Sequence, residues 1–317
     1  MSPFIIAIAF ALFLWWFSTG LVLLANRLPN VGTTVAMVVV TAAAIAALLG
    51  LWIIRDTQTV SGAYLGFIAG LLVWAWHEVS FLSGVLTGPR STECPKGVTG
   101  FRRFVVATET LIHHEVAIAA TALGLYWMLG DASNQIGLWT FLLLWGMRLS
   151  AKFNIFLGVP NITEEFLPSQ LGHLRSYFKV QPLNVLFPVS ITVSTGLMFW
   201  LAQSAVAPES SAFTVAGFSL LTTLTALGIV EHWFLVLPLR DQELWRWYLK
   251  DRKAVEPPKP AHAAYARVKR SDITRRDQTT PLAVAGLQSG TGGSASSFNS
   301  HDRHFLKVPK AIGGPRS

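Results

Sequence analysis

Charge is scarce in this sequence. Only 13% of its 317 residues are Asp, Glu, Lys or Arg, about half the share carried by a soluble domain. So little charge cannot cover the surface of a water-soluble globule of this length. Cysteine is nearly absent as well. The single Cys94 excludes an internal disulfide framework and any CxxC metal or redox motif. No GxxxxGK[ST] phosphate loop, no GxGxxG following a strand, no nucleophile elbow and no internal repeat occurs. What is abundant is apolar: 52% of residues are hydrophobic, with twelve Trp and twenty Phe, and the mean hydropathy is +0.46. Lipid is therefore the expected solvent, with the aromatic residues suited to the headgroup region.

A membrane helix needs about 20 mostly apolar residues. Seven stretches qualify: Phe4–Ala25, Val35–Ile54, Val60–Val85, Phe104–Leu129, Ile136–Leu157, Val185–Ser204 and Phe213–Leu239. They are too long, and alternate too little, to be barrel strands. The expected fold is an all-α polytopic membrane bundle of about seven helices. The first stretch lacks a basic n-region and is too long for a signal h-region, so it reads as a retained helix. Basic residues set the orientation. With an external N-terminus and a cytoplasmic C-terminus, 24 of the 25 Lys and Arg fall on the inner side, and only Arg55 stays outside.

Two domains are expected. Residues 1–255 form the transmembrane domain, ending in a short interfacial helix near 241–250. Residues 256–317 form a basic, low-complexity, mostly disordered cytoplasmic tail. This tail holds most of the surplus behind the net charge of +8. Its expected partner is the lipid surface, not nucleic acid. Pro188 is expected to kink the sixth span. In the long loop Gly158–Pro182, Leu171, Leu174, Tyr177 and Phe178 predict a helix packed on the bundle, with Glu164, Glu165 and His173 nearby as a docking surface.

Ionisable residues inside a span are costly, and they mark functional sites. Here they cluster. The third span holds His77 and Glu78; the fourth holds Glu109, His113, His114 and Glu115. The fifth holds Arg148 and Lys152, and the seventh holds Glu231 and His232. His77, His113 and Glu231 each lie about 14–20 Å along the helix from an inner basic residue, at 1.5 Å per residue. One polar layer is the expectation. Glu109 and His113 are four apart and predict a shared face, as do Arg148 and Lys152, which are placed to neutralise two of the four carboxylates. Three readings stay open. The layer is a set of packing ion pairs, or a metal site of Glu78, Glu109, His113, Glu231 and His232, or a pigment site with His77, His113 or His232 as axial ligand. Transport is disfavoured, because the outer half of the spans is nearly devoid of carboxylates.

Several stretches carry a family likeness. They are Arg55-Asp56-Thr57, Trp76-His77-Glu78-Val79-Ser80-Phe81-Leu82 with Thr87-Gly88-Pro89-Arg90, and His113-His114-Glu115. Further along come Lys152-Phe153-Asn154, Leu157-Gly158-Val159-Pro160-Asn161, Leu174-Arg175-Ser176-Tyr177-Phe178, Asn184-Val185-Leu186-Phe187-Pro188-Val189 and Glu231-His232-Trp233-Phe234-Leu235-Val236-Leu237-Pro238. In this order and spacing, from about residue 10 to 250, the chain resembles the PuhE family of photosynthetic complex assembly proteins from purple phototrophic bacteria. The resemblance implies a multi-pass protein of the bacterial inner or intracytoplasmic photosynthetic membrane. Its implied partners are reaction-centre or light-harvesting subunits, and its implied link is to bacteriochlorophyll or precursor supply. The expected function is thus a membrane assembly factor with no assigned catalytic residue. The alternative is an intramembrane metalloenzyme acting on a hydrophobic tetrapyrrole, carotenoid or quinone.

Overall fold

In a computed structural model, residues 3–25, 30–162 and 167–237 are described, and eight α-helices account for most of them. They are α1 Pro3–Ala25, α2 Asn30–Ile54, α3 Val60–Leu82, α4 Gly100–Thr108, α5 Ile112–Leu129, α6 Ile136–Leu157, α7 Leu186–Val206 and α8 Ala212–Phe234. A 3-10 helix covers Ser169–Tyr177. Among the described residues the only extended pairing is a single bridge between Val159 and Val180. The interfacial helix expected at 241–250 and the tail at 256–317 lie outside the described residues, as do Arg27, Glu164 and Glu165.

Among the described residues, five helices are long and apolar enough to cross a membrane: α1, α2, α3, α7 and α8. Two of them start on local caps. Thr59 Oγ1 accepts from Gly62 N at 3.0 Å, and Ser211 Oγ accepts from Thr214 N at 3.1 Å, which satisfies donors that a helix start leaves open.

The bundle is organised around α3, whose glycines recur every fourth residue at Gly62, Gly66 and Gly70. Such a small-residue face lets helix backbones approach. A Cβ on Gly70 would stand 2.7 Å from the Gly137 carbonyl oxygen, so α3 and α6 meet almost backbone to backbone. On one side of α3, Ala69, Val73 and Trp74 pack with Leu51 of α2, Ile118 and Leu125 of α5 and Phe141 of α6. On the other, Ala63 and Phe67 pack with Ala7 and Ala11 of α1 and with Ala216, Leu220 and Leu224 of α8. Large apolar side chains remain outside, including Ile53, Leu123 and Trp127, as a bundle dissolved in lipid requires.

Asn134 fastens one end of this core. Its Nδ2 lies 3.0–3.4 Å from the carbonyls of Ile54, Thr57 and Gly62, and its Oδ1 accepts from Ile136 N. The α2–α3 turn is thereby tied to the start of α6. Asn134→Ala is expected to lower stability by about 1–3 kcal/mol, the cost of stranding buried polar groups. A thermal unfolding curve of the detergent-solubilised protein checks this.

Two expectations need correction. The stretch 104–129 is not one helix: α4 stops at Thr108 and α5 restarts at Ile112. Thr108 and Thr110 turn their hydroxyls onto the carbonyls of Phe104 and Ala107, in competition with the helical ladder. Segment 87–90 then takes up the loose ends. Thr87 O accepts from His114 N at 2.9 Å, and Arg90 N donates to Glu109 O at 3.2 Å. Pro188 kinks nothing, because it sits in the first turn of α7, where a missing N–H breaks no helical bond. The helix expected from Leu171, Leu174, Tyr177 and Phe178 is present, as the 3-10 helix Ser169–Tyr177. Leu171 and Leu174 bury against Phe81 at the end of α3.

Candidate functional site

Helix α6 lies between α3 and α5 and carries two cations one turn apart. Arg148 donates from Nη2 to Glu78 Oε2 on α3 at 3.0 Å. Lys152 donates from Nζ to Glu115 Oε1 on α5 at 2.5 Å, and Trp145 Nε1 donates to the other oxygen at 3.2 Å. Each pair leaves no net charge, and in the more shielded Lys152–Glu115 pair the Trp145 indole adds a second hydrogen bond to the carboxylate, which helps to hold ions away from water. The ammonium of Lys152 also lies 5.4 Å from the centre of the Phe81 ring, close enough for a cation–π contact.

Among the described residues, Glu231, on α8, has no such cation of its own. Its Oε1 accepts from Trp15 Nε1 on α1 at 2.9 Å. Next to it, His232 is buried and fully engaged. Because a carbonyl only accepts, His232 Nδ1 donates to Gly228 O at 2.8 Å, while Nε2 lies 2.9 Å from Ser150 Oγ. A cavity of about 290 Å3 opens between α1, α3, α6 and α8, and Glu78, Arg148 and Glu231 all line it.

The histidines separate sharply. His77 and His114 are 1% and 0% exposed, with ring centres 6.2 Å apart and His114 against Phe81 at 4.6 Å. His77 Nε2 lies 3.0 Å from Thr121 Oγ1, but among the described residues its Nδ1 and both ring nitrogens of His114 have no hydrogen-bond partner. His113, one residue earlier, is exposed. Its expected shared face with Glu109 does not exist, since the break at 109–111 separates them. Glu109 belongs to a different cluster outside the bundle core, where its carboxylate accepts from Arg90 Nε at 2.7 Å. That contact holds Arg90 above the ordinary guanidinium value. Nearby, Tyr177 donates to Thr92 O at 3.0 Å, and burial raises its phenol above the usual range.

Of the ten expected residues, Glu78, Glu115, Arg148 and Lys152 are thus joined through α6, with Glu231 on the same cavity as two of them. Glu109 stands apart. Among the described residues no three His, Cys, Asp or Glu side chains converge at metal-ligand spacing. Four of the five residues named for a metal have partners of their own. Trp15, Trp145, Ser150 and Thr121 complete the site and are not picked out by the sequence. Their signal is weak: indole and hydroxyl groups are common in membrane helices, and only their partners make them notable.

Comparison with known proteins agrees in extent with this bundle. A model for a family described as a protein of unknown function, DUF3623, matches residues 1–256. The chain belongs to this family. It is similar to the uncharacterized 30.4 kDa protein in the puhA 5′ region of Rhodobacter capsulatus, at 40% identity over 253 residues, covering 78% of this chain and 91% of that protein. Family membership thus takes in all ten site residues. No solved structure matches the chain.

Proposed function

We propose that this protein is a membrane assembly factor for the photosynthetic apparatus, of the PuhE type. The reading is carried by the relative named for its place in the puhA 5′ region, in line with the likeness noted from the sequence. On this reading the chain crosses a bacterial inner membrane seven times, α5 and α6 included, with an external N-terminus and a cytoplasmic tail from residue 256. Reaction-centre or light-harvesting subunits are its partners. The ionised layer holds a pigment, its precursor or a nascent subunit during assembly.

The geometry weighs the pigment ligands unequally. His232 has both ring nitrogens engaged, whereas His77 keeps Nδ1 open and His113 is exposed on α5. Among the described residues, no convergent ligand set favours the metalloenzyme alternative. A strain lacking the gene is expected to lose most of its reaction-centre, antenna and bacteriochlorophyll absorption, restored by the gene in trans. Normal levels of all three would refute the assembly role.

A further inference from the structure

Among the described residues, the ionised layer leaves one carboxylate without a dedicated cation. Glu78 has Arg148 and Glu115 has Lys152. Glu231 has the Trp15 indole on Oε1, and its Oε2 accepts no hydrogen bond among the described residues. Arg148 lies within electrostatic reach of both Glu78 and Glu231. Only one of its N–H groups is used, toward Glu78. The cavity wall therefore presents two carboxylates around one guanidinium that still has donors to spare.

The position of these groups along the helices gives the cavity a direction. Glu78 is four residues from the end of α3 at Leu82, and Glu231 is three from the end of α8 at Phe234. Both charged groups sit about one turn inside the same end of the bundle. Leu71 and Leu224, also in the cavity lining, each precede these acids by seven residues, which is two turns or about 10 Å deeper. The cavity is thus charged about one turn inside this end and apolar deeper in the bundle, with Val22 and Leu82 at its rim. That is the polarity profile of a lipid molecule, not of a water-soluble solute.

We propose that this groove binds one phospholipid whose head ends in a primary ammonium. The ammonium donates to Glu231 Oε2, where charge-assisted hydrogen bonding favours it. The phosphate accepts from the spare N–H groups of Arg148. One acyl chain runs inward past Ala75 toward Leu71 and Leu224. The order along the wall is then carboxylate, guanidinium, phosphate, ammonium, carboxylate, with opposite charges adjacent throughout. A quaternary ammonium head has no N–H for Glu231, and a glycerol head has no cation, so headgroup chemistry decides occupancy. This inference goes beyond the assembly role and does not rest on it.

The test uses the full-length protein in nanodiscs containing equal parts phosphatidylethanolamine, phosphatidylcholine and phosphatidylglycerol. Lipid retained through delipidation is then read by native mass spectrometry. One phosphatidylethanolamine per chain is expected, enriched about tenfold over the other two. Glu231→Gln is expected to abolish the enrichment, as is Ala75→Phe, which fills the groove without altering its charge. Helical circular dichroism of both variants is expected to match the parent. No headgroup preference, a preference for phosphatidylglycerol, or an enrichment that survives in a folded variant of either kind would overturn the proposal. The deletion phenotype is a separate measurement and stands or falls independently.

Discussion

Lys152→Met is expected to destabilise the bundle by about 3–5 kcal/mol, the usual consequence of stranding one partner of a buried ion pair. The ammonium contacts Glu115 Oε1, and both side chains are largely shielded, at 22% and 15% exposure. Without the cation, Glu115 keeps only the Trp145 indole, which cannot neutralise a charge enclosed by α5, α6 and the Phe81 ring. The double variant Glu115→Gln with Lys152→Met is expected to recover most of the loss. It removes both charges while leaving an amide that still accepts from Trp145. Thermal unfolding midpoints of the two variants in one detergent decide the matter. Equal midpoints would show that Lys152 acts through packing on Phe81 and not through its charge. This pair is the better probe of the layer, because Arg148 is more open, at 44% exposure of its side chain, and solvent or lipid headgroups weaken the penalty there.

The outcome bears on how far the site was legible in the sequence. Arg148 and Lys152 are one turn apart, and periodicity alone puts them on one face, where each then meets a carboxylate from a different helix. That inference needs only the α-helical period. His113 and His114 show where the same reasoning fails. Counting turns from Glu109 places His113 with it and turns His114 away. The count assumes an unbroken helix, and the interruption at 109–111 resets the phase, so His114 is buried and His113 is exposed. Nothing local announces the interruption strongly. Two threonines weaken the ladder, but the deciding partner is segment 87–90, about twenty residues earlier in the chain. Apolar length was enough to find the long helices, because burying a helix in lipid is a local requirement. The acid-to-indole contacts of Trp15 and Trp145 join residues 216 and 30 positions apart, and composition offers no means of pairing them. Glu231 illustrates the same limit. Its place in the layer follows from depth, but its pairing with an indole instead of a cation among the described residues follows only from the packing of α1 against α8.

Gly88→Ala tests the nonlocal partner directly and is expected to cost at least about 3 kcal/mol, the upper end of ordinary overpacking. A Cβ at this position would stand 2.1 Å from the Glu109 carbonyl oxygen and 2.6 Å from Leu111 N. Both are backbone atoms, so no side-chain rotation relieves the overlap. Segment 87–90 would have to withdraw from the break between α4 and α5. Withdrawal gives up the bond from His114 N to Thr87 O, the bond from Arg90 N to Glu109 O and the Arg90–Glu109 ion pair. The first turn of α5 would then lose the bond that sets its phase, and with it the placement of His114 and Glu115 inside the bundle. Gly124→Ala, in the middle of α5 with nothing within 4 Å of the added carbon, is the matched control. It is expected to be neutral or to stabilise by up to about 1 kcal/mol through helix propensity. Unfolding midpoints separated by this amount, with the loss confined to Gly88→Ala, would establish that the close backbone approach at residue 88 sets where α5 begins. If both variants melt like the parent, the helix break is a local property of Thr108 and Thr110, and the position of the buried histidine does not depend on segment 87–90.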